Sequence, residues 1–252
     1  MTADGTRRHD PLRAALLLVI TVCVALMLVL LLPGTVPGAL RSRIGLGGPA
    51  HADGGSYAFL AHQPGDPRDP VTYSPCRPIH VQVNPTGGPA DAVALVQQAM
   101  SRVSAATGLR LDYDGLSTAR PEWRSAYQPA LAEDAALGDE PVLVSWAAPE
   151  EVDELRGDVA GIGGSVWVRQ GQGARRYVTG GVTLDTGAFA QLAQRSDADS
   201  EEEAIILHEF GHLVGLAHVD DPGELMYEHN IGRTDFGPGD LAGLALLGKG
   251  SC

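Results

Sequence analysis

Basic charge is scarce in this sequence. Its 18 lysine and arginine residues stand against 31 aspartate and glutamate residues, for a formal net charge of −13, and Lys249 is its only lysine. Nucleic-acid-binding proteins normally carry a basic patch or stripe, and none is visible along this chain. We therefore expect no nucleic-acid partner. The acidity suits a domain that is kept soluble outside the cell by its charge.

Cysteine is also rare, with three residues in 252. Cys23 lies inside an apolar run, so Cys76 and Cys252 are the only two in the sequence that follows it. An oxidising compartment favours a disulfide between them, which would tie the start of a folded domain to its last residue. Two alternatives stay open: a free thiol, or a Cys76 thiolate that ligates a metal ion in a latent form.

One long hydrophobic run dominates the first part of the chain. Residues 14–32 are 19 uncharged, predominantly apolar residues, which as a helix span about 28 Å, close to the thickness of a bilayer core. Arg7, Arg8 and Arg13 precede the run. The positive-inside rule therefore predicts a cytoplasmic segment 1–13, a single-pass anchor at 14–32, and the rest outside the cell. The alternative is a cleavable signal peptide and a secreted product.

The remaining sequence is long enough for one domain. Residues 33–55 are rich in glycine and proline and predict a flexible stalk, and residues 56–252 predict the folded domain. Residues 114–140 lack clear order and predict a long surface loop. Periodicity predicts strands at 79–83, 109–113, 141–146, 165–169 and 177–185, and helices at 90–106, from Ser200 to Gly215, and from 239 or 240 to 247. Ser200 and Glu203 match a capping box at the start of the second of these helices. The alternation of strands and helices predicts an α/β fold.

The chemistry is concentrated in the second predicted helix. His208 and His212 are four residues apart, so both imidazoles lie on one helix face and can bind one metal ion. Glu209 lies between them, where it can reach a water molecule without ligating the metal. The sequence continues to Gly215 and His218 and so completes H-E-x-x-H-x-x-G-x-x-H. Gly215 permits a sharp turn at positive φ that brings His218 back to the same ion.

These residues resemble the metzincin metalloproteases. Met226 lies eight residues after His218, and the run HEFGHLVGLAHVDDPGELMY is most similar to the matrixin branch. The resemblance implies a twisted, five-stranded mixed sheet, a zinc-binding helix, a C-terminal helix, and a turn at Met226 (the Met-turn) that forms an apolar floor under the site. It also implies an edge strand for substrate over Gly164, Ser165, Val166 and Trp167. The matrixin prodomain, a structural zinc cluster and clear calcium sites are missing from the sequence.

The resemblance implies a zinc-dependent metalloendopeptidase. One catalytic Zn²⁺ would bind His208, His212 and His218, and Glu209 would act as general base on a peptide or protein substrate. We expect a monomer. Two alternatives remain: a catalytically silent, zinc-bound cell-surface binding protein, or a site in which Glu224 or Glu228 is the third ligand.

Overall fold

The computed structural model describes residues 50–52, 55–130, 140–171, 173–195, 198–229 and 232–252. The predicted cytoplasmic segment, the anchor at 14–32 and most of the stalk lie outside these residues and stay predictions. Within the described part of the chain, no helix is both long enough and apolar enough to cross a bilayer.

The described chain alternates strands and helices. The strands are β1 (Ala50–Ala52), β2 (Gly55–Phe59), β3 (His62–Gln63), β4 (Asp66–Pro70), β5 (Ile79–Asn84), β6 (Leu111–Leu116), β7 (Trp123–Ser125), β8 (Gln128–Pro129), β9 (Val142–Ala147), β10 (Gly161–Gln170), β11 (Ala174–Asp185) and β12 (Leu216–Ala217). The helices are α1 (Ala92–Thr107), α2 (Thr186–Leu192), α3 (Ala198–Val214) and α4 (Pro238–Leu247). A 3₁₀ turn covers Asp153–Leu155.

A five-stranded mixed sheet forms the centre, with strand order β10–β11–β9–β5–β6. All neighbouring pairs are parallel except β10 with β11. In β5, Ile79, Val81 and Val83 are buried while His80 between them is exposed, as expected for alternating faces of a strand. The predicted fold is therefore confirmed, and β10 is at one edge of the sheet.

Two helices pack together to fill the core against the sheet. On α1, the residues Leu95, Val96, Ala99, Met100 and Val103 are buried, and their spacing places them on one helix face. They belong to the same hydrophobic cluster as Phe210 and Leu213 of α3. This packing fixes the position of the helix that carries the metal motif.

Helix α3 begins earlier than the sequence predicted. It starts at Ala198, so Ser200 lies inside the helix and the predicted capping box with Glu203 is wrong. Glu203 instead accepts a hydrogen bond from Arg102 of α1 at 2.6 Å and forms an ion pair with it. This charge-assisted hydrogen bond to Arg102 is stronger than the bond to a neutral backbone N–H that a capping box would give Glu203.

The segment 114–140 was predicted as a surface loop, and this prediction is wrong for part of it. β6 extends to Leu116, and β7 and β8 form an antiparallel hairpin. Trp123 of this hairpin donates a hydrogen bond from its indole to Thr183 of β11 at 2.9 Å. The hairpin therefore packs on the central sheet.

Strands begin before residue 56, where the sequence placed the domain start. β1 pairs with β2, and β2 pairs with β12 directly after the metal helix. Further along the chain, β3 and β4 form a short hairpin, and a disulfide joins Cys76 to Cys252, whose Cα atoms are 5.5 Å apart. The expected cysteine pairing is therefore present, and the alternatives of a free thiol and of a Cys76 metal ligand do not hold in this structure.

Candidate active site

The three motif histidines converge on one point. The Nε2 atom of His218 lies 3.0 Å from Nε2 of His208 and 3.1 Å from Nε2 of His212. In the described part of the chain, these three side chains are the one group of His, Cys, Asp or Glu residues with metal-binding geometry.

Backbone carbonyls hold two of the three rings in place. Nδ1 of His208 is 2.8 Å from the carbonyl oxygen of Leu225, and Nδ1 of His212 is 2.8 Å from that of Leu216. With a proton on Nδ1, each ring donates to its carbonyl and leaves the Nε2 lone pair free. Burial lowers the pKa of His208 to about 4 and lowers those of His212 and His218, which keeps the rings neutral.

Glu209 lies next to this cluster as a buried carboxyl group. It is 6% exposed, and its Oε2 atom has no hydrogen-bond partner among the described residues. Burial raises its pKa to about 8. A buried carboxyl oxygen without a partner is costly, which is typical of a group that acts on a ligand.

Two glycines of β10 allow the edge strand to lie directly against Glu209. A Cβ at Gly163 would be 2.1 Å from the backbone oxygen of Glu209, and one at Gly161 would be 2.8 Å from its Cγ. Larger residues would push the strand off the helix. The sequence run GIGG signals such a close approach.

Gly215 makes the turn that returns the chain to the metal site. Its φ is +123°, a value that L side chains rarely adopt, and it directly follows the last residue of α3. Its carbonyl oxygen accepts a hydrogen bond from the backbone N–H of Leu60 at 2.9 Å. The expected role of Gly215 therefore matches its conformation.

Met226 packs against the helix that carries the motif histidines. It is 1% exposed, and its Sδ atom is so close to Gly211 that a Cβ there would be 2.5 Å away. Gly211 lies between the first two histidines on α3, so the thioether packs against the motif itself. This packing is compatible with the Met-turn that the resemblance implies.

Two buried carboxylates fix the segment around Met226 through hydrogen bonds to backbone N–H groups. Asp240 accepts hydrogen bonds from the backbone N–H groups of Leu225 at 2.5 Å and of Gly237 at 2.9 Å. Glu224 accepts from the N–H of Asp240 at 2.9 Å and from that of Ser56 at 3.3 Å. Because Glu224 is engaged in this way, it is not free to act as a third metal ligand, whereas His218 belongs to the group that could hold a metal ion.

Tyr127 reaches the cluster from the β7–β8 hairpin. Its ring packs edge-to-face on His212 with the centroids 4.8 Å apart, and its hydroxyl is 3.5 Å from Nδ1 of His218. Its φ of +65° is the one positive value at a non-glycine residue in the described chain. Such strained backbone is often found at functional sites. Sequence analysis missed Tyr127, because only the folded hairpin brings it near the histidines.

The predicted substrate-edge residues Gly164 to Trp167 all lie on β10. Gly164 and Ser165 are buried, and Val166 and Trp167 are partly buried. The Ser165 hydroxyl donates to the carbonyl of Leu213 at 2.6 Å and so ties the edge strand to α3. The side chain of Ser165 therefore has a structural role.

A cleft of about 470 Å³ opens beside the histidines. It is lined by Tyr127, by the start of β10, and by the segment that follows Met226, including Tyr227, Glu228 and His229. Asp221, in the loop after His218, accepts hydrogen bonds from the Ser56 hydroxyl at 3.2 Å and from the backbone N–H of Gly223 at 2.9 Å.

The comparison with protein-family models agrees with this geometry. Residues 123–238 match the family model of the M10 peptidases, described as matrixin. This match supports a matrixin-like metzincin family assignment. The search of curated proteins found no match. Among solved structures, one titled "GM1 bound form of the ECX AB5 holotoxin" is 14% identical, with 77% of this chain and 89% of that chain covered and a TM-score of 0.42.

The family assignment supports a metalloprotease in general. Matrixins typically bind zinc, and the residues of this matrixin-like domain fit that ion. Three neutral imidazoles with convergent Nε2 atoms form a donor set that zinc prefers, and catalytic zinc sites keep a further position for water or substrate.

Proposed function

We propose that this matrixin-like domain is a zinc-dependent endopeptidase. The observation that carries the proposal is the partnerless Oε2 of Glu209 beside three convergent imidazole nitrogens. A site that only bound metal would gain nothing from a buried carboxyl group without a partner, since burial penalises its charge. A general base needs such a carboxyl group at this place.

The histidines hold the metal, and Glu209 moves the proton. When bound, a zinc ion supplies Lewis acidity, which polarises a substrate carbonyl and lowers the pKa of a water ligand to about 7. Glu209 accepts a proton from the attacking water and later delivers it to the departing amine. The carbonyls of Leu225 and Leu216 keep two imidazoles oriented throughout.

The edge strand β10 supports cleavage within a chain rather than at its ends. It has ten residues and pairs on one side only, with β11. A polypeptide added along its other side would gain main-chain hydrogen bonds that are largely independent of sequence. Such binding needs no free terminus on the substrate.

The test is cleavage of a peptide library by the full-length protein, with products mapped by mass spectrometry. We expect internal cleavage that a chelator abolishes and added zinc restores. Glu209→Gln should lose about 10²–10⁴-fold in rate. Glu150→Gln, at an exposed position away from the cleft, should keep the full rate. Removal of single terminal residues would show an exopeptidase instead, and zinc without cleavage would favour the silent binding protein.

We also propose that the domain is exported and anchored by residues 14–32 as a monomer. The Cys76–Cys252 disulfide supports an oxidising compartment. Labelling of intact cells with a membrane-impermeant reagent, followed by sizing of the solubilised protein, tests both points. A product that begins after residue 32 in the medium would show secretion after cleavage.

A further inference from the structure

A second, larger groove lies away from the histidines. It has a volume of about 1000 Å³ and is formed by the β3–β4 hairpin, the turn between β10 and β11, and the last residues of the chain. None of the metal-site residues lines it. The catalytic mechanism proposed above does not use this groove.

The lining of the groove is predominantly basic, whereas the chain as a whole is acidic. Its lining contains five cationic side chains, from Arg68, Arg169, Arg175, Arg176 and Lys249, in a chain whose net charge is −13. Its two carboxylates are those of Asp66 and Asp69, and Asp66 is paired with Arg68 at 3.6 Å. A concentration of positive charge against an acidic background attracts anions.

Two of these arginines face each other across the hairpin. Arg169 and Arg175 are direct register partners on β10 and β11. Like charges directly opposite on neighbouring strands are destabilising. An anion bound between them would relieve this repulsion.

The guanidinium group of Arg175 is oriented in advance for binding an anion. Its guanidinium group lies 4.3 Å above the ring of Trp167, and its buried Nε atom has no acceptor among the described residues. Its backbone is fixed separately, because Gln63 accepts from the Arg175 N–H and donates to its carbonyl, both at 2.8 Å. A guanidinium that is stacked on an aromatic ring while its backbone is fixed is preorganised for a carboxylate, which it can bind through two hydrogen bonds.

The edge strand connects this groove to the catalytic cleft. β10 starts with Gly161 and Ile162 in the cleft and ends near Arg169 in the groove. At about 3.3 Å per residue, the two sites are separated by roughly 26 Å of strand. An extended polypeptide that pairs with β10 would therefore reach both.

We propose that this groove binds an acidic segment of the protein substrate, about eight residues from the bond that is cleaved. The proposal rests on the endopeptidase function for its biological role, but the binding itself does not require hydrolysis. The groove would thus select substrates that carry clustered aspartate or glutamate residues at this distance.

The test is direct binding to the full-length Glu209→Gln protein, so that no probe is cut. Fluorescent hexaglutamate, hexaglutamine and a sulfated hexasaccharide are titrated by anisotropy. The groove variant is Arg169→Gln with Arg175→Gln. The matched control is Arg110→Gln with Arg156→Gln, which removes the same charge from exposed positions elsewhere.

We expect hexaglutamate to bind at least about tenfold more tightly than hexaglutamine, and the groove variant to lose this preference while the control keeps it. Equal binding of the two peptides, or an equal loss in the control, would overturn the proposal. Tighter binding of the sulfated hexasaccharide would overturn the assignment to an acidic peptide. If the double variant fails to fold, Arg169→Gln alone decides, since its side chain is exposed and should weaken hexaglutamate binding.

Because these measurements use an inactive variant, they remain decisive even if the wild-type protein hydrolyses nothing. Absence of hydrolysis would refute the proposed function and leave the groove as a binding site. Absence of hexaglutamate binding would refute the groove and leave the proposed function intact.

Discussion

Replacing Asp240 tests how the fold supports the metal site. Asp240 is fully buried, and its oxygens accept hydrogen bonds from the backbone N–H groups of Leu225, Met226 and Gly237. Asp240→Ala would leave three donors unpaired, and each buried unpaired donor costs about 1–3 kcal/mol. We expect the free energy of unfolding to fall by about 3–5 kcal/mol, a large value for one substitution.

The same variant should also weaken metal binding. The carbonyl of Leu225 holds Nδ1 of His208, so loosening this segment disturbs one ligand. Partners of this kind change metal affinity by about 10–100-fold. Urea unfolding in EDTA and zinc competition with a chelator measure the two effects. Asp220→Ala, at an exposed position nearby, should stay within about 0.5 kcal/mol of wild type. If Asp240→Ala matched this control in both assays, the reasoning would be refuted.

The contribution of Asp240 to the free energy of unfolding should depend on pH in a definite direction. Burial raises the pKa of Asp240 to about 6, with Glu224 adding to the shift, from an ordinary value of 3.8. Between pH 3.8 and about 6, Asp240 keeps its proton in the folded protein and releases it in the unfolded chain. The free energy of unfolding that Asp240 contributes therefore falls as pH rises through this range. Wild type should therefore gain stability relative to Asp240→Asn, by roughly 1 kcal/mol per unit, as pH falls from about 6 to about 4. Urea unfolding in EDTA across this range measures it, and a constant difference between the two proteins would contradict it.

Three further predictions concern other contacts. Tyr127→Phe should raise the zinc dissociation constant less than Tyr127→Ala does, because the phenylalanine ring still packs on His212. Competition with a chelator measures both dissociation constants, and identical values would exclude a role for the ring. Met226→Ala should lower the free energy of unfolding by about 2–5 kcal/mol and Met226→Leu by less than about 1.5 kcal/mol, as judged by urea unfolding; equal losses would argue against a packing role. Cys252→Ser should cost about 2–5 kcal/mol in the same assay, and wild type under reducing conditions should then unfold like the variant; no loss would mean that the disulfide does not stabilise the fold.

Local patterns predicted the parts of the site that are contiguous in sequence. His208 and His212 share one helix face, Glu209 lies between them in sequence, and Gly215 follows at a fixed spacing, none of which needs knowledge of the tertiary fold. The alternation of apolar and polar residues likewise predicted β5. These inferences rest on helix and strand periodicity, which the structure preserves. The role of Met226 and the five-stranded mixed sheet were implied by the resemblance to the metzincins.

The contacts that were missed join residues far apart in sequence. Tyr127 is 91 residues from His218, and Ser56 is 168 residues from Glu224. Helix α3 begins before its apparent capping box, and Glu203 pairs with Arg102 on another helix. No local signal contains these partners, since they depend on how the elements pack.

The basic groove could not be predicted from the sequence either, because its residues come from distant parts of the chain. Its cations come from the β3–β4 hairpin, the β10–β11 turn and the end of the chain, and along the sequence they look like scattered arginines in an acidic protein. Only the folded arrangement, with Arg169 opposite Arg175, shows that they converge.

The most direct test of the central claim is a paired measurement of zinc content and peptide hydrolysis on wild type and Glu209→Gln. The account predicts one zinc ion per chain in both proteins, with hydrolysis in wild type that falls by about 10²–10⁴-fold in the variant. Normal hydrolysis by Glu209→Gln would contradict the proposed role of this carboxyl group. Absence of zinc from wild type would contradict the metal site itself.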